Sequence, residues 1–198
     1  MNRRLLLGLP LLSACSVLEQ PNIPVMRYAL DPRRPQARQA PRNAGVLLLR
    51  GVRGSAGVQD VGLRTLQPDG AIRLAPYDEW IAPPAELAAS ALRAWLAASG
   101  LFAAVVTPGS RAEATLVLEG ELTSLEAVPS ANEARAGLAG VLLLDRGGVT
   151  RVLMTFSVAG TAPLPPPADE PMKAAAMQEA LGVAFARLEQ EIVSGLRR

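Results

Sequence analysis

Thr115-Leu116-Val117-Leu118-Glu119-Gly120-Glu121-Leu122 is the stretch on which the fold turns. Leu116, Leu118 and Leu122 share one phase of a two-residue repeat, and Glu119 and Glu121 share the other. That is the period of a strand with one buried face and one wet face. Two further strands follow it. Residues 139–144 are apolar throughout. In residues 151–161, Val152, Met154, Phe156 and Val158 alternate with Arg151, Leu153, Thr155 and Ser157. Asp145-Arg146-Gly147-Gly148 between these two strands supplies the glycines of a tight hairpin. The three strands therefore read as an antiparallel meander, one face on the core and one partly wet. The register turns Met154 and Phe156 inward and Thr155 and Ser157 outward.

The elements around the meander make an α+β domain. Residues 46–52 read as a buried strand, and residues 61–66 and 71–75 as a hairpin around Pro68-Asp69-Gly70, where proline presets φ and glycine accepts positive φ. The glycine-rich residues 51–57 lack the Gly-Lys-Ser/Thr ending of a phosphate loop and read as a turn. Residues 26–30 form a short strand stopped by Asp31-Pro32, and residues 32–43 an exposed loop. Pro83-Pro84 opens a helix over residues 84–99, with Leu87, Ala91, Leu92, Trp95 and Leu96 as its apolar stripe and Gly100 as its stop. Residues 102–107 return as a strand. After the proline-rich residues 162–167, Asp169 caps a long helix striped by Met177, Leu181, Ala184, Leu188, Ile192 and Leu196. Gly182 within it marks a close crossing over the sheet.

The start of the chain has a different character. Met1-Asn2-Arg3-Arg4 is positive, Leu5 to Leu12 is apolar, and Leu12-Ser13-Ala14-Cys15 closes the segment. Charge, a short apolar run and small residues describe a secretory signal, too short to span a bilayer. With cysteine next, the segment resembles a bacterial lipobox, cleaved between Ala14 and Cys15 and acylated on the Cys15 thiol. Thiol chemistry suits the step, since no other side chain here is as easily alkylated near neutral pH. Residues 1–14 are then signal peptide, 15–25 a lipidated tether holding Pro21 and Pro24, and 26–198 a single domain. Acyl chains at about 0.8 kcal/mol per buried methylene hold such a protein firmly at a bilayer.

Composition narrows the function further. The 198 residues carry 20 Lys+Arg against 18 Asp+Glu, and loss of Arg3 and Arg4 with the signal brings the two into balance. A nucleic-acid binder would need a clustered basic face. The chain has one cysteine and no histidine. That removes the intramolecular disulfide, the Ser-His-Asp and Cys-His nucleophilic sites and the commonest metal ligand. No cofactor, metal or nucleic acid is expected.

Two clusters remain as candidate sites. Glu119 and Glu121 lie on one strand face, as acid–base carboxylates can, and a hydrolase built on them would place them at the wall of a deep acidic cleft. A solvated sheet face accounts for them as well. In Tyr77-Asp78-Glu79-Trp80-Ile81, two of the four Tyr and Trp residues meet just before the first helix. Aromatics with a polar tip suit interfaces, so Tyr77 and Trp80 form a candidate partner interface, with burial of Trp80 at the strand–helix junction as the alternative.

Taken together, several stretches resemble the ABC-type transport auxiliary lipoproteins, the family that includes paraquat-inducible protein C. They are the lipobox, Tyr28-Ala29-Leu30-x-Pro32, Trp80-Ile81-x-Pro83-Pro84, Phe102, Leu118-x-Gly120-x-Leu122, Leu142-Leu143-Leu144-Asp145-Arg146-Gly147-Gly148 and the alanine-rich last helix. Glu79-Trp80 departs from the Arg-Trp pair such a pattern would carry. The resemblance implies a mixed sheet with two helices on one face, similar to the N-terminal domain of TolB. It also implies a non-catalytic lipoprotein on the periplasmic side of the outer membrane. Its partners would be an ABC permease and ATPase and a periplasmic protein with a mammalian cell entry (MCE) domain, moving lipids between the two membranes. A homo-oligomer is compatible with it. The rival function is an escort for outer-membrane barrel assembly.

Overall fold

The computed structural model describes residues 23–35 and 45–197. Eight strands and two α-helices build the described part: β1 (Met26–Tyr28), β2 (Val46–Gly54), β3 (Gly62–Leu66), β4 (Ile72–Trp80), α1 (Pro84–Ala97), β5 (Ala104–Val106), β6 (Leu116–Val128), β7 (Glu133–Arg146), β8 (Val149–Pro163) and α2 (Glu170–Gly195). The signal, the lipidation site and most of residues 32–43, read above as an exposed loop, lie outside the described residues; of the described part of that segment, Pro32 is buried.

β6 is the spine of one mixed sheet. Along one edge it pairs antiparallel with β7, from Leu116↔Leu144 to Val128↔Glu133. Its other edge is shared. β2 runs parallel to its first half, from Leu47↔Leu116 to Gly54↔Leu122, and β3 takes over at Thr65↔Ala127. The exchange coincides with an irregularity between Leu122 and Ser124. The irregularity shifts the phase of the strand, so Leu122 and Leu125, both 0% exposed, point into the same core. β5 adds parallel to β2, β4 antiparallel to β3, and β1 parallel to the end of β4.

The meander is longer than its apolar segments suggest: β7 has 14 residues and β8 has 15. Gly147 and Gly148 both take positive φ, 60° and 79°, in the two-residue turn between them. Such turns match the right-handed twist of the flanking strands. Phe156 and Val158 are buried and Thr155 and Ser157 exposed, as the two-residue alternation requires. Val152 is a correction: it is 56% exposed. Pairing steps from Leu142↔Met154 to Leu143↔Val152, so Leu153 is an extra residue that swaps the faces at that point.

Both helices lie on one face of the sheet, α1 over β2, β5 and β6 and α2 over β8, β7 and β6. Leu92, Trp95 and Leu96 of α1 are buried, with Ala85 and Ala88 inward in place of the half-buried Leu87 and Ala91. Gly100 at φ 67° stands just past the helix end. On α2 the Asp169 side chain accepts from the Met172 N–H at 2.9 Å, and Met177, Leu181, Ala184, Leu188 and Ile192 are fully buried. The close crossing, however, is made by Gly160 of β8 and not by Gly182. A Cβ on Gly160 would lie 2.0 Å from Ala180 O and 2.5 Å from Ala184 N. Gly182 instead faces the N-terminal segment, where a Cβ would make only an ordinary contact with Pro32 Cβ at 3.5 Å.

Candidate partner-binding surface

The candidate interface sits on β4, and the shape of that strand separates its two aromatics. Pairing with β3 jumps from Arg64↔Leu74 to Gly62↔Glu79, so residues 75–78 stand opposite Leu63 alone. Pro76 lies in this excess and has no N–H for a ladder bond. The strand bows outward there, and Tyr77 at the crest is 42% exposed. It straightens again at its end, where the Trp80 N–H donates to Val61 O at 2.7 Å. Trp80 is 2% exposed and belongs to the core. As an interface residue it is therefore corrected: the strand end directs it under the sheet, beside the entry to α1, and Tyr77 alone remains at the surface.

β1 fastens the outer side of this strand end. The Tyr28 hydroxyl donates to Asp78 Oδ1 at 2.7 Å. Burial, that hydrogen bond and the charges of Asp78, Glu170 and Asp169 push the Tyr28 phenol up from 10.0 to about 12. Glu79 lies 3.7 Å from Arg27 on the neighbouring strand. That exposed pair contributes little to stability. Around Tyr77, the β1–β4 margin carries exposed Ile23, Val25, Met26, Ile72, Leu74 and Ile81. Single exposed apolar residues are ordinary; such a gathering on one margin is the usual mark of a contact surface.

Glu119 and Glu121 are on the opposite, helix-free face. Glu119 is ion-paired with Arg50, and the two carboxylates border a shallow trough of about 470 Å³ whose other lining includes Arg53, Gly51, Gly120 and Gly140. Two guanidinium groups offset the two carboxylates, so the trough is not the acidic cleft of a glycosidase-like site. Among the described residues no cluster of acidic side chains is arranged to hold a metal, and no helix is long and apolar enough to cross a membrane.

One polar cluster had no signal in the periodicity. Glu189 lies on the buried face of α2 at 7% exposure. It accepts from Trp95 Nε1 at 3.1 Å and from Arg34 Nη2 at 2.9 Å. Arg34 also donates to Trp95 O at 3.0 Å, and its guanidinium lies 5.3 Å from the centre of the Trp95 ring. A charge between Leu188 and Ile192 looks like an interruption of the stripe until its two partners are seen. The cluster is structural, tying the segment after β1 across both helices.

Fold and surface together define an α+β module with exposed apolar residues along its β1–β4 margin. The chain belongs to the ABC-type transport auxiliary lipoprotein component family, whose profile matches residues 28–193. It is a non-catalytic, lipid-anchored periplasmic component associated with an ABC transport complex. The fold is similar to that of protein XCC0632 from Xanthomonas campestris, with a TM-score of 0.69 at 19% identity over 86% of this chain and 96% of that one. A second solved structure, of an uncharacterized protein, aligns with a TM-score of 0.59 at 13% identity over 86% of this chain and 99% of that one. No curated protein matches the chain in sequence at a significant level.

Proposed function

We propose that the protein is anchored through acylated Cys15 to the periplasmic face of the outer membrane and serves an MCE-type ABC transport system that moves lipids between the two membranes. On this reading residues 1–14 are removed, residues 15–25 form the tether, and residues 26–198 are the partner-binding domain, with a fold akin to the N-terminal domain of TolB. The observation that carries the reading is the family match over residues 28–193, nearly all of the folded part, downstream of a lipobox. The apolar margin around Tyr77 supports it. Ile23 follows Cys15 closely enough that an extended tether holds that margin within roughly 30 Å of the bilayer. Such confinement raises the effective concentration of a partner reaching across from the inner membrane, so a modest intrinsic affinity suffices.

The test is co-purification of the full-length lipidated chain in mild detergent with the purified periplasmic component of the system, the protein carrying the MCE domain. A stable complex is expected. Recovery of an outer-membrane barrel in its place, with no MCE protein bound, would hand the function to the barrel-escort reading.

A further inference from the structure

Among the described residues the sheet has three edge strands, and they are treated differently. β1 and β5 are three residues each, and the parts of β4 and β2 they leave unpaired carry Arg73 with Pro76 and Arg50 with Arg53, charges and a proline that discourage a stray strand. β8 has 15 residues and pairs only with β7. Its central part, residues 152–163, carries no charge.

Three observations fix which backbone groups of β8 face away from the sheet. The Leu164 N–H donates to Asn132 O, continuing the ladder with β7. Pro163, the next residue back, has no N–H to donate. Ala159 O accepts from Arg187 Nη1, a side chain of α2. The register with β7 is unbroken from Glu133↔Pro163 to Leu142↔Met154. Antiparallel ladders alternate strictly, so the N–H and C=O groups of Thr155, Ser157, Ala159 and Thr161 all point outward. Of these, Ala159 O has the Arg187 contact.

A long, uncharged open edge is a template for strand pairing, and folded proteins ordinarily protect one with a charge, a proline or a covering element. Here α2 covers the edge only at one point, where Arg187 reaches Ala159 O, and otherwise stands beside it. The two leave a groove of about 490 Å³, with Met154 and Val158 on the sheet side and Arg187, Gln190, Glu191 and Ser194 on the helix side. The groove has room for one extended chain. A second copy pairing antiparallel, edge to edge, would bring its own α2 onto the same side of the sheet, against this helix wall.

We propose that the β8 edge receives an extended, uncharged peptide segment from the periplasmic component of the transport complex, added as a further strand. Main-chain hydrogen bonds to Thr155, Ser157, Ala159 and Thr161 hold the segment, and the polar flank of α2 selects small or polar side chains at alternate positions. Arg187 caps the Ala159 carbonyl in the free protein, and an incoming strand N–H shares or replaces that contact. The inference rests on the transport reading above and names where that partner is gripped.

The test uses the full-length lipidated chain in detergent and the purified MCE-domain protein as probe. Amide hydrogen exchange is followed across residues 154–162, with and without the probe. Ser157→Pro provides the variant: its N–H faces outward, and proline is tolerated at such edge positions, so the ladder with β7 stays intact. Expected are slower exchange at the outward amides in the complex and an affinity for Ser157→Pro about tenfold or more below that of the parent chain. A complex that forms with these amides unchanged overturns the inference and leaves the proposed function standing. Slow exchange at the same amides before any probe is added also overturns it, because the edge is then occupied by the chain itself or by a second copy. Failure to form any complex defeats the transport reading. If Ser157→Pro does not fold, the exchange of the parent chain decides alone.

Discussion

Trp95 Nε1 donates to Glu189 Oε2 at 3.1 Å, joining α1 to α2 through a carboxylate that is almost fully buried. Arg34 completes the arrangement, with Nη1 2.8 Å from the same carboxylate oxygen. A buried charge is tolerable only when paired, and Glu189 and Arg34 supply each other's partner. Glu189→Ala should therefore destabilise the fold by about 3–5 kcal/mol, because it leaves the Arg34 guanidinium and the Trp95 indole N–H without their acceptor. Adding Arg34→Met to that variant should recover part of the loss, since both buried charges are then gone. Urea unfolding of the two single variants and the double variant measures the coupling; simple additivity would mean that Arg34 and Glu189 do not act as a pair.

β8 carries two stringent packing contacts. Phe156 lies across from Gly140, and a Cβ on that glycine would sit 2.6 Å from Phe156 Cζ. Phe156→Ala empties the space over Gly140 and should cost about 3–5 kcal/mol. Gly160→Ala acts in the opposite direction by pushing α2 off the sheet, at a cost of about 1–3 kcal/mol or more. Thermal melts of both variants check this. A loss of about 0.5 kcal/mol for Phe156→Ala would mean that the strand faces are reversed there.

The meander, both helices and the Asp169 cap were legible because each is written in local periodicity and capping chemistry. The Val152 face was not, because Leu153 bulges the strand and no residue type announces a bulge of this kind. The β6–β7 extension through residues 123–138 was hidden for a related reason. The irregularity after Leu122 breaks the alternation just where β6 changes neighbour from β2 to β3. Trp80 and Tyr77 looked equivalent in sequence; only the bow around Pro76, a consequence of pairing with β3, separates them. Glu189 was illegible because its partners lie 155 and 94 positions away.

Tyr28 offers a titration with a definite sign. Its phenol is raised above the unfolded value, chiefly by burial and by the hydrogen bond it donates to Asp78. The neutral form is the one the fold favours. The associated stability is present in full below about pH 10 and is lost as pH rises through about 12. The chain has two tyrosines, so Tyr77→Phe leaves Tyr28 as the sole chromophore of its kind. Ultraviolet difference titration of that variant should give a midpoint near 12 while the fold persists; a midpoint near 10 would remove both the burial of the phenol and the Asp78 contact from the account.

The lipid anchor makes a prediction about mass. The mature chain should begin at Cys15, carry acyl groups there and sediment with the outer membrane, because Ser16 lacks the acidic character of an inner-membrane retention signal. Cys15→Ser should accumulate as uncleaved precursor or escape to the periplasm. Intact-protein mass spectrometry of membrane extracts decides the first point; an unmodified thiol at Cys15 would refute lipidation. Sucrose-gradient fractionation decides the second independently.

Tyr77 and Trp80 should respond to truncation in opposite ways. Trp80 is buried at the strand end, so Trp80→Ala should destabilise by about 3–5 kcal/mol and weaken partner binding only through loss of folded protein. Tyr77 stands on the bowed crest, 42% exposed, so Tyr77→Ala should leave the stability within about 0.5 kcal/mol of the parent. If the β1–β4 margin is the contact surface, an anchoring aromatic there is worth about 1–2 kcal/mol or more of binding, which is a tenfold or greater loss of affinity. Measuring stability and affinity on the same preparations separates the two roles. Full affinity in Tyr77→Ala would remove this margin from the interface and leave the β8 edge to carry the partner alone.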